Sequence, residues 1–215
     1  MGLAGKTIII TGASKGIGAR ACRVFAEAGA SVVGVARSVE ELENLQNALH
    51  ADGLDFAFAS IDLVGPDAPR HLAELMERRV PDVFINNAGA TRPAAFQDVT
   101  VEDFDAIMRL NLKAGFFASQ AAVRAMIAAP KRDQTRSVIH MSSMLGRVAL
   151  PGRAVYAATK HALEGLTKAM ALDLAPERIR VNSICPTHIE TPLTRPLMEN
   201  QAFRAFVSER MPLST

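Results

Sequence analysis

Short runs of branched apolar residues alternate along the chain with longer stretches in which apolar positions recur at the helical period. The runs lie at 7–10, 31–36, 55–60, 82–85, 137–141 and 179–184, and the periodic stretches at 17–28, 39–51, 68–79, 101–129 and 155–175. Strand and helix repeated in this order predict βαβ units and a parallel sheet covered on both faces. The run Ile8-Ile9-Ile10 has no polar alternation, which suits a strand buried on both sides. Helix starts are signalled at Ser38-Val39-Glu40-Glu41 and Thr100-Val101-Glu102-Asp103, where hydroxyl and carboxylate have the capping-box spacing. Gly29 stands where the first helix should end. After the run at 179–184 come a loop at 187–196 and a short helical pattern near 197–209, with no further strand pattern. No repeat, low-complexity segment or linker divides the chain, so residues 1–215 are expected to form one domain.

Composition narrows the classes. A chain of 215 residues can bury a substantial core, and 49% hydrophobic with 21% charged residues describes a globular protein. The formal net charge is +2, from 24 basic and 22 acidic residues. The basic residues are scattered, which gives no reason to expect nucleic acid as a partner. Cys22 and Cys185 have no metal-ligand spacing around them. They are expected to be reduced thiols of a cytoplasmic protein, with no metal site. Met1–Lys6 lacks the apolar core of a secretory signal. The most apolar stretch, Ala114 to Ala129, is interrupted by Ser119, Gln120 and Arg124, so no membrane span is expected.

The first strand runs into Thr11-Gly12-Ala13-Ser14-Lys15-Gly16-Ile17-Gly18, and a helix begins there. Glycines in this place let a diphosphate approach the backbone and leave amides at a helix N-terminus facing it. Tyr156, the only tyrosine, is followed by Lys160, and at i and i+4 the two share one helix face. A free phenol has a pKa of about 10. A neighbouring ammonium lowers it, which would fit Tyr156 to donate a proton to a carbonyl oxygen or to accept one in reverse. An acidic residue at the end of the second strand would select NAD; this chain has Ala36 and Arg37 there, with Lys15 in the glycine loop as a second cation. A guanidinium suits a 2′-phosphate, so NADP(H) is the expected cofactor, with NAD(H) possible.

The glycine spacing resembles that of the short-chain dehydrogenase/reductase family, whose motif is T-G-x-x-x-G-[IL]-G. Further motifs follow in the family's order over residues 5–195: Asn86-Asn87-Ala88-Gly89, Asn111 within Leu110-Asn111-Leu112, Ser143, and Tyr156-Ala157-Ala158-Thr159-Lys160 as Y-x-x-x-K. The resemblance implies a single doubly wound Rossmann α/β domain of strand order 3-2-1-4-5-6. It implies reversible hydride transfer between NADP(H) and a ketone or secondary alcohol. Tyr156 would be the acid/base, Lys160 would tune it and hold the nicotinamide ribose, Ser143 would orient the substrate oxygen, and Asn111 would support a water relay. Gly12, Ser14, Lys15, Gly16, Ile17, Gly18, Arg37, Asp62, Leu63, Asn87, Ala88 and Gly89 would hold the adenosine and diphosphate end, with Asp62 accepting from the adenine amine. Pro186, Ile189 and Thr191, with Tyr156 and Lys160, would hold the nicotinamide end.

The family pattern P-G-x-x-x-T reads Pro186-Thr187-His188-Ile189-Glu190-Thr191 here. A P-T variant occurs in members that reduce L-xylulose and dicarbonyls, and leans the expected substrate toward a small sugar, polyol or dicarbonyl. Two alternatives stand beside this one: a 3-oxoacyl-acyl-carrier-protein reductase, and an inactive NADP-binding regulator or scaffold. Leu145, Arg147, Val148, Arg153 and His188 are expected around the pocket. Arg92, Arg147, Arg153 and Arg195 form either a basic rim for an acidic substrate or carrier protein, or ordinary solvated surface. The helices at 101–129 and 155–175 resemble those that pair subunits in the family, which implies a homodimer or homotetramer. Family members end with a seventh strand that this sequence lacks. The expectation is a C-terminally truncated chain, with 191–215 a partial substrate lid and the sixth strand an exposed edge.

Overall fold

The computed structural model describes residues 2–130, 135–192, 194–195 and 199–210. Strands β1 (Thr7–Thr11), β2 (Ser31–Ala36), β3 (Phe56–Ser60), β4 (Val83–Asn86), β5 (Arg136–Met141) and β6 (Ile179–Ile184) form one sheet in the order β3-β2-β1-β4-β5-β6. Every neighbouring pair is parallel. Helices α1 (Gly16–Glu27), α2 (Val39–Ala51), α3 (Ala68–Arg78), α4 (Val101–Met108), α5 (Gly115–Ala128) and α6 (Ala154–Asp173) pack around the sheet, and α7 (Gln201–Arg210) follows. The strand order reverses between β1 and β4, and the crevice beyond the carboxyl ends of those strands is where such sheets hold ligands.

The uniform apolar run in β1 is explained by two cores. Ile8 and Ile10 face α1 and α2 through Cys22, Ala26, Leu42 and Leu49. Ile9 faces α3 and α5 through Leu72, Met76, Ala122 and Met126. All three isoleucines are fully buried, and each contributes about 1.5–3 kcal/mol. In β6 the inward Ile179 and Val181 are buried while Arg180, Asn182 and Ile184 are exposed. Among the described residues no seventh strand pairs with its outer edge.

Two local expectations are corrected. Ser38 begins α2 but makes no side-chain capping bond, and the Glu41 carboxylate, the other half of the expected box, is drawn instead to Lys15 of the glycine loop in an ion pair. Thr100, by contrast, accepts from the Asp103 amide at 3.1 Å as the spacing predicts. The single helix expected at 101–129 is divided by a wider π turn at Arg109–Ala114. The cause is Asn111. Its side chain is buried, accepts from the Ala90 amide at 2.8 Å and donates to the Ala90 carbonyl at 2.9 Å. Such a turn accommodates the extra residue that these bonds draw inward.

Candidate active site

The glycine loop is fitted to its neighbour with no room for a side chain. Gly12 has φ +66, and a Cβ there would lie 2.8 Å from the Ala88 Cα. Thr11 locks the two loops together: its hydroxyl accepts from the Asn87 and Ala88 amides at 3.0 and 3.1 Å. The Asn87 amide group returns the link, donating to the Thr11 and Gly12 carbonyls at 3.0 and 3.2 Å. Helix α1 starts beside this cradle with no side chain capping it, so its first amides are available to an anion.

From the cradle a groove of about 980 Å³ runs across the sheet's carboxyl edge. It is lined by Gly12, Ser14, Lys15, Gly16, Ile17, Arg37, Asp62, Leu63, Asn87, Ala88 and Gly89 at one end, and by Ser143, Tyr156, Lys160, Pro186, Ile189 and Thr191 at the other. Every cofactor residue expected from the sequence lines it except Gly18, which is buried beneath. Its volume, its close backbone approach and its cationic end at Arg37 and Lys15 fit a dinucleotide phosphate.

At the inner end Ser143 caps a short turn, accepting from the Leu145 amide at 3.2 Å, and its hydroxyl interacts with the Tyr156 phenol. Lys160 is buried, 4% exposed. Its ammonium donates to the Met141 carbonyl at 2.7 Å and lies 5.6 Å from the Tyr156 ring centroid. Asn111 also donates to Thr159 at 3.2 Å, and Thr159 donates to the Tyr156 carbonyl at 2.7 Å. The Asn111 carboxamide oxygen and the Lys160 ammonium both border Gly89.

With that geometry the comparisons agree. The short chain dehydrogenase family model matches residues 6–202. The chain belongs to the short-chain dehydrogenase family. It is similar to gluconate 5-dehydrogenase of Gluconobacter oxydans (strain 621H), 34% identical over 98% of this chain and 81% of that protein. It is also similar to a 3-oxoacyl-acyl-carrier-protein reductase of Thermotoga maritima, 37% identical over 99% of this chain and 85% of that one. Among solved structures, a gluconate 5-dehydrogenase from Burkholderia cenocepacia J2315 in complex with NADP and tartrate superposes with a TM-score of 0.90. It is 35% identical over 98% of this chain and 82% of that one. As a short-chain dehydrogenase the chain is an oxidoreductase acting on CH–OH donors.

Electrostatics in this short-chain dehydrogenase depart from the sequence expectation. The Tyr156 phenol is pushed above its ordinary pKa, not below it: burial raises it, against the opposing Ser143 hydrogen bond and the Arg153 guanidinium. The ammonium that was expected to lower it is turned to the Met141 carbonyl. Lys160 is itself lowered to about 8 by burial, opposed by neighbouring Cys185 and Glu164. Lys15 is paired with Glu41, an exposed ion pair that an incoming phosphate would have to open. Lys15, with Ser14 and Arg37, holds the Glu41 carboxyl below the usual carboxylate range.

The basic rim does not form. Arg92 pairs with Asp103, Arg147 with Glu164 at 3.6 Å and Arg195 with Glu190 at 3.5 Å. Arg153 alone of the four meets a neutral partner, donating to the Thr91 hydroxyl at 3.0 Å. His188 packs edge-on against Phe203 of α7, ring centroids 5.1 Å apart. Leu145 is buried and Val148 exposed.

Sequence reasoning missed three residues of the site. Glu41 has the spacing of a capping residue, and nothing in that spacing signals its pairing with Lys15. Ala90 supplies only backbone to Asn111, so its identity carries no signal. Thr194 accepts from the Thr191 amide at 2.9 Å and donates to the Ile189 carbonyl, shaping the loop expected at the nicotinamide end. A hydroxyl three residues after Thr191 was its only trace.

Proposed function

We propose that the chain uses NADP(H) to interconvert a ketone and a secondary alcohol in a small hydroxylated substrate, a sugar acid or polyol. The observation that carries this reading is the convergence of Ser143, Tyr156 and Lys160 at one end of a groove whose other end presents Arg37 and Lys15. When bound, the dinucleotide would supply the hydride in reduction and accept it in oxidation. The Tyr156 hydroxyl donates a proton to the substrate oxygen in reduction and receives it in oxidation. A phenol held above its ordinary pKa is fully protonated at neutral pH, which favours the donor role. Ser143 orients the oxygen, and Lys160 supports both the phenol and the nicotinamide ribose. Asn111 has its carboxamide committed to Ala90 and Thr159. It acts by fixing the wall beside Lys160, along which a water relay would run.

The relatives that act on gluconate support a sugar-acid substrate. The pairing of three of the four rim arginines weighs against a carrier-protein partner. The assembled cluster weighs against an inactive scaffold. The lid expected at 191–215 lies partly outside the described residues; of its described part, Phe203 rests on His188. Val101, Phe104, Phe116 and Phe117 on α4 and α5 are exposed, and an apolar surface of this kind supports a homodimer or homotetramer. Among the described residues no helix is long and apolar enough to cross a membrane. The two free cysteines suit a reducing cytoplasm.

The test is calorimetric titration with NADPH and NADH, followed by turnover on a panel of a keto sugar acid, a neutral ketose and an acetoacetyl thioester. Tighter NADPH binding and turnover of a sugar substrate are expected. Turnover of the thioester alone would transfer the assignment to acyl reduction, and no turnover of any carbonyl would leave the scaffold reading.

A further inference from the structure

We propose that Arg153, together with His188, forms a carboxylate-binding subsite beside Tyr156, so that the preferred carbonyl or alcohol substrate is an acid anchored by its carboxylate. This rests on the hydride-transfer reading above and names the substrate class for the same site.

The argument begins with charge accounting. Of the four arginines expected around the pocket, three are paired with Asp103, Glu164 and Glu190. Arg153 is half-buried, and among the described residues no carboxylate lies within ion-pair distance of it. A guanidinium carries five donors, and the contact found for this one is a single bond to Thr91. Removing a cation from water against a neutral hydroxyl alone is unfavourable, and an anion arriving at the site would offset that cost.

Position makes this cation relevant to the reaction. Arg153 is the N-cap residue of α6, three positions before Tyr156. Its charge reaches both the Tyr156 phenol and the His188 imidazole. The His188 Nε2 is buried and has no hydrogen-bond partner among the described residues. Its ring is held by Phe203. The loop carrying Arg153 is tied to the opposite wall by the Ala94 amide, which donates to the Gly152 carbonyl at 3.2 Å.

A carboxylate resolves these features together. It takes two parallel bonds from the guanidinium and one from the imidazole, and it benefits from the amides of the first turn of α6. A neutral sugar would leave the Arg153 charge without a counterion. The substrate class is therefore a polyhydroxy keto or hydroxy acid, with the reacting carbon near Tyr156 and Ser143 and the carboxylate at Arg153.

The test uses the NADPH complex of the whole chain and a matched pair of probes. Tartrate and threitol share a four-carbon diol, and only tartrate carries carboxylates. Tartrate is expected to bind at least tenfold more tightly, in keeping with charge-assisted hydrogen bonds. Raising ionic strength from roughly 50 to 300 mM should weaken tartrate and not threitol. Arg153→Gln should weaken tartrate about tenfold or more, and Arg153→Lys should recover part of the loss. It should also lower the ratio of kcat/KM for a keto sugar acid over a neutral ketose by the same factor. Equal binding of the two probes overturns the proposal, as does an Arg153→Gln variant that holds tartrate as tightly as the parent. Should that variant fail to bind NADPH, the probe pair and the salt series on the unaltered chain decide. Tartrate binding without turnover of any carbonyl would sink hydride transfer and leave the anion site standing. Turnover of neutral ketoses without tartrate binding would do the reverse.

Discussion

Two glycine-to-alanine substitutions separate the strain of a backbone conformation from the closeness of the cofactor cradle. Gly12 and Gly53 both have positive φ, +66 and +71. A left-handed conformation costs a non-glycine residue about 1–2 kcal/mol. A Cβ at Gly53 would meet nothing within 4 Å, whereas one at Gly12 would lie 2.8 Å from the Ala88 Cα and 3.0 Å from the Asn87 side chain. Those two residues are hydrogen-bonded to Thr11 and Gly12 and cannot withdraw without breaking the lock. Overpacking of this kind adds about 1–3 kcal/mol. Gly53→Ala should therefore lower stability by about 1–2 kcal/mol, and Gly12→Ala by about 2–5 kcal/mol. For a chain of this size each kcal/mol shifts Tm by about 2–4 °C. The assay is urea denaturation of both variants beside titration with NADPH. Gly53→Ala should bind NADPH as the parent does, and Gly12→Ala should bind at least tenfold more weakly. If Gly12→Ala proves no less stable than Gly53→Ala and keeps its NADPH affinity, the cradle is not where the diphosphate lies.

Other outcomes follow from the same geometry. Tyr156→Phe should reduce kcat by about 10²–10⁴ with a much smaller change in NADPH affinity; retained turnover in a stopped-flow assay removes Tyr156 from the reaction. Glu41→Gln should release Lys15 and increase the preference for NADPH over NADH, measured as the ratio of the two dissociation constants; a fall in that ratio contradicts the placement of Lys15 at the 2′-phosphate. His140 is lowered to about 4 by burial and by the nearby Lys160 charge. The folded protein thus resists protonating it while the unfolded chain does not. Stability should fall by about 3 kcal/mol as pH drops from about 6.5 to 4, and His140→Leu should flatten that part of the pH–stability curve. Lys160 has the mirror behaviour: lowered to about 8, its burial is a cost below that pH which is relieved as pH rises toward 10.5. Lys160→Met should gain thermal stability relative to the parent at pH 7 and lose the gain by pH 10.

The strands, the helices and the glycine cradle were legible because their signals are local, whereas the strand order came with the family resemblance. Branched runs, glycines at a strand–helix junction and hydroxyl-to-acid spacings act on the residues beside them. The departures arise where a distant partner decides. The π turn at 109–114 leaves the apolar period intact and depends on a bond from Asn111 to Ala90, in another segment. Ser38 and Glu41 have capping spacing, but the carboxylate is claimed by Lys15 from the loop before α1. The i, i+4 spacing of Tyr156 and Lys160 fixes a shared face. It does not fix where the ammonium points, and a carbonyl 19 residues away receives it.

The same reasoning bears on how charge should be read in a pocket of this kind. Arg92, Arg147, Arg153 and Arg195 are equivalent as letters, and their number alone suggests a surface for a large acidic partner. Their counterions come from Asp103, Glu164 and Glu190, on a helix start, a helix interior and a loop. A paired arginine at the surface has its charge partly offset by its own carboxylate, in a pair worth only about 0–1 kcal/mol. The unpaired one, half-buried beside the phenol, keeps its full charge for whatever enters. A pocket with one such cation selects a single small carboxylate, and a carrier protein's broad acidic face would find most of the rim already neutral.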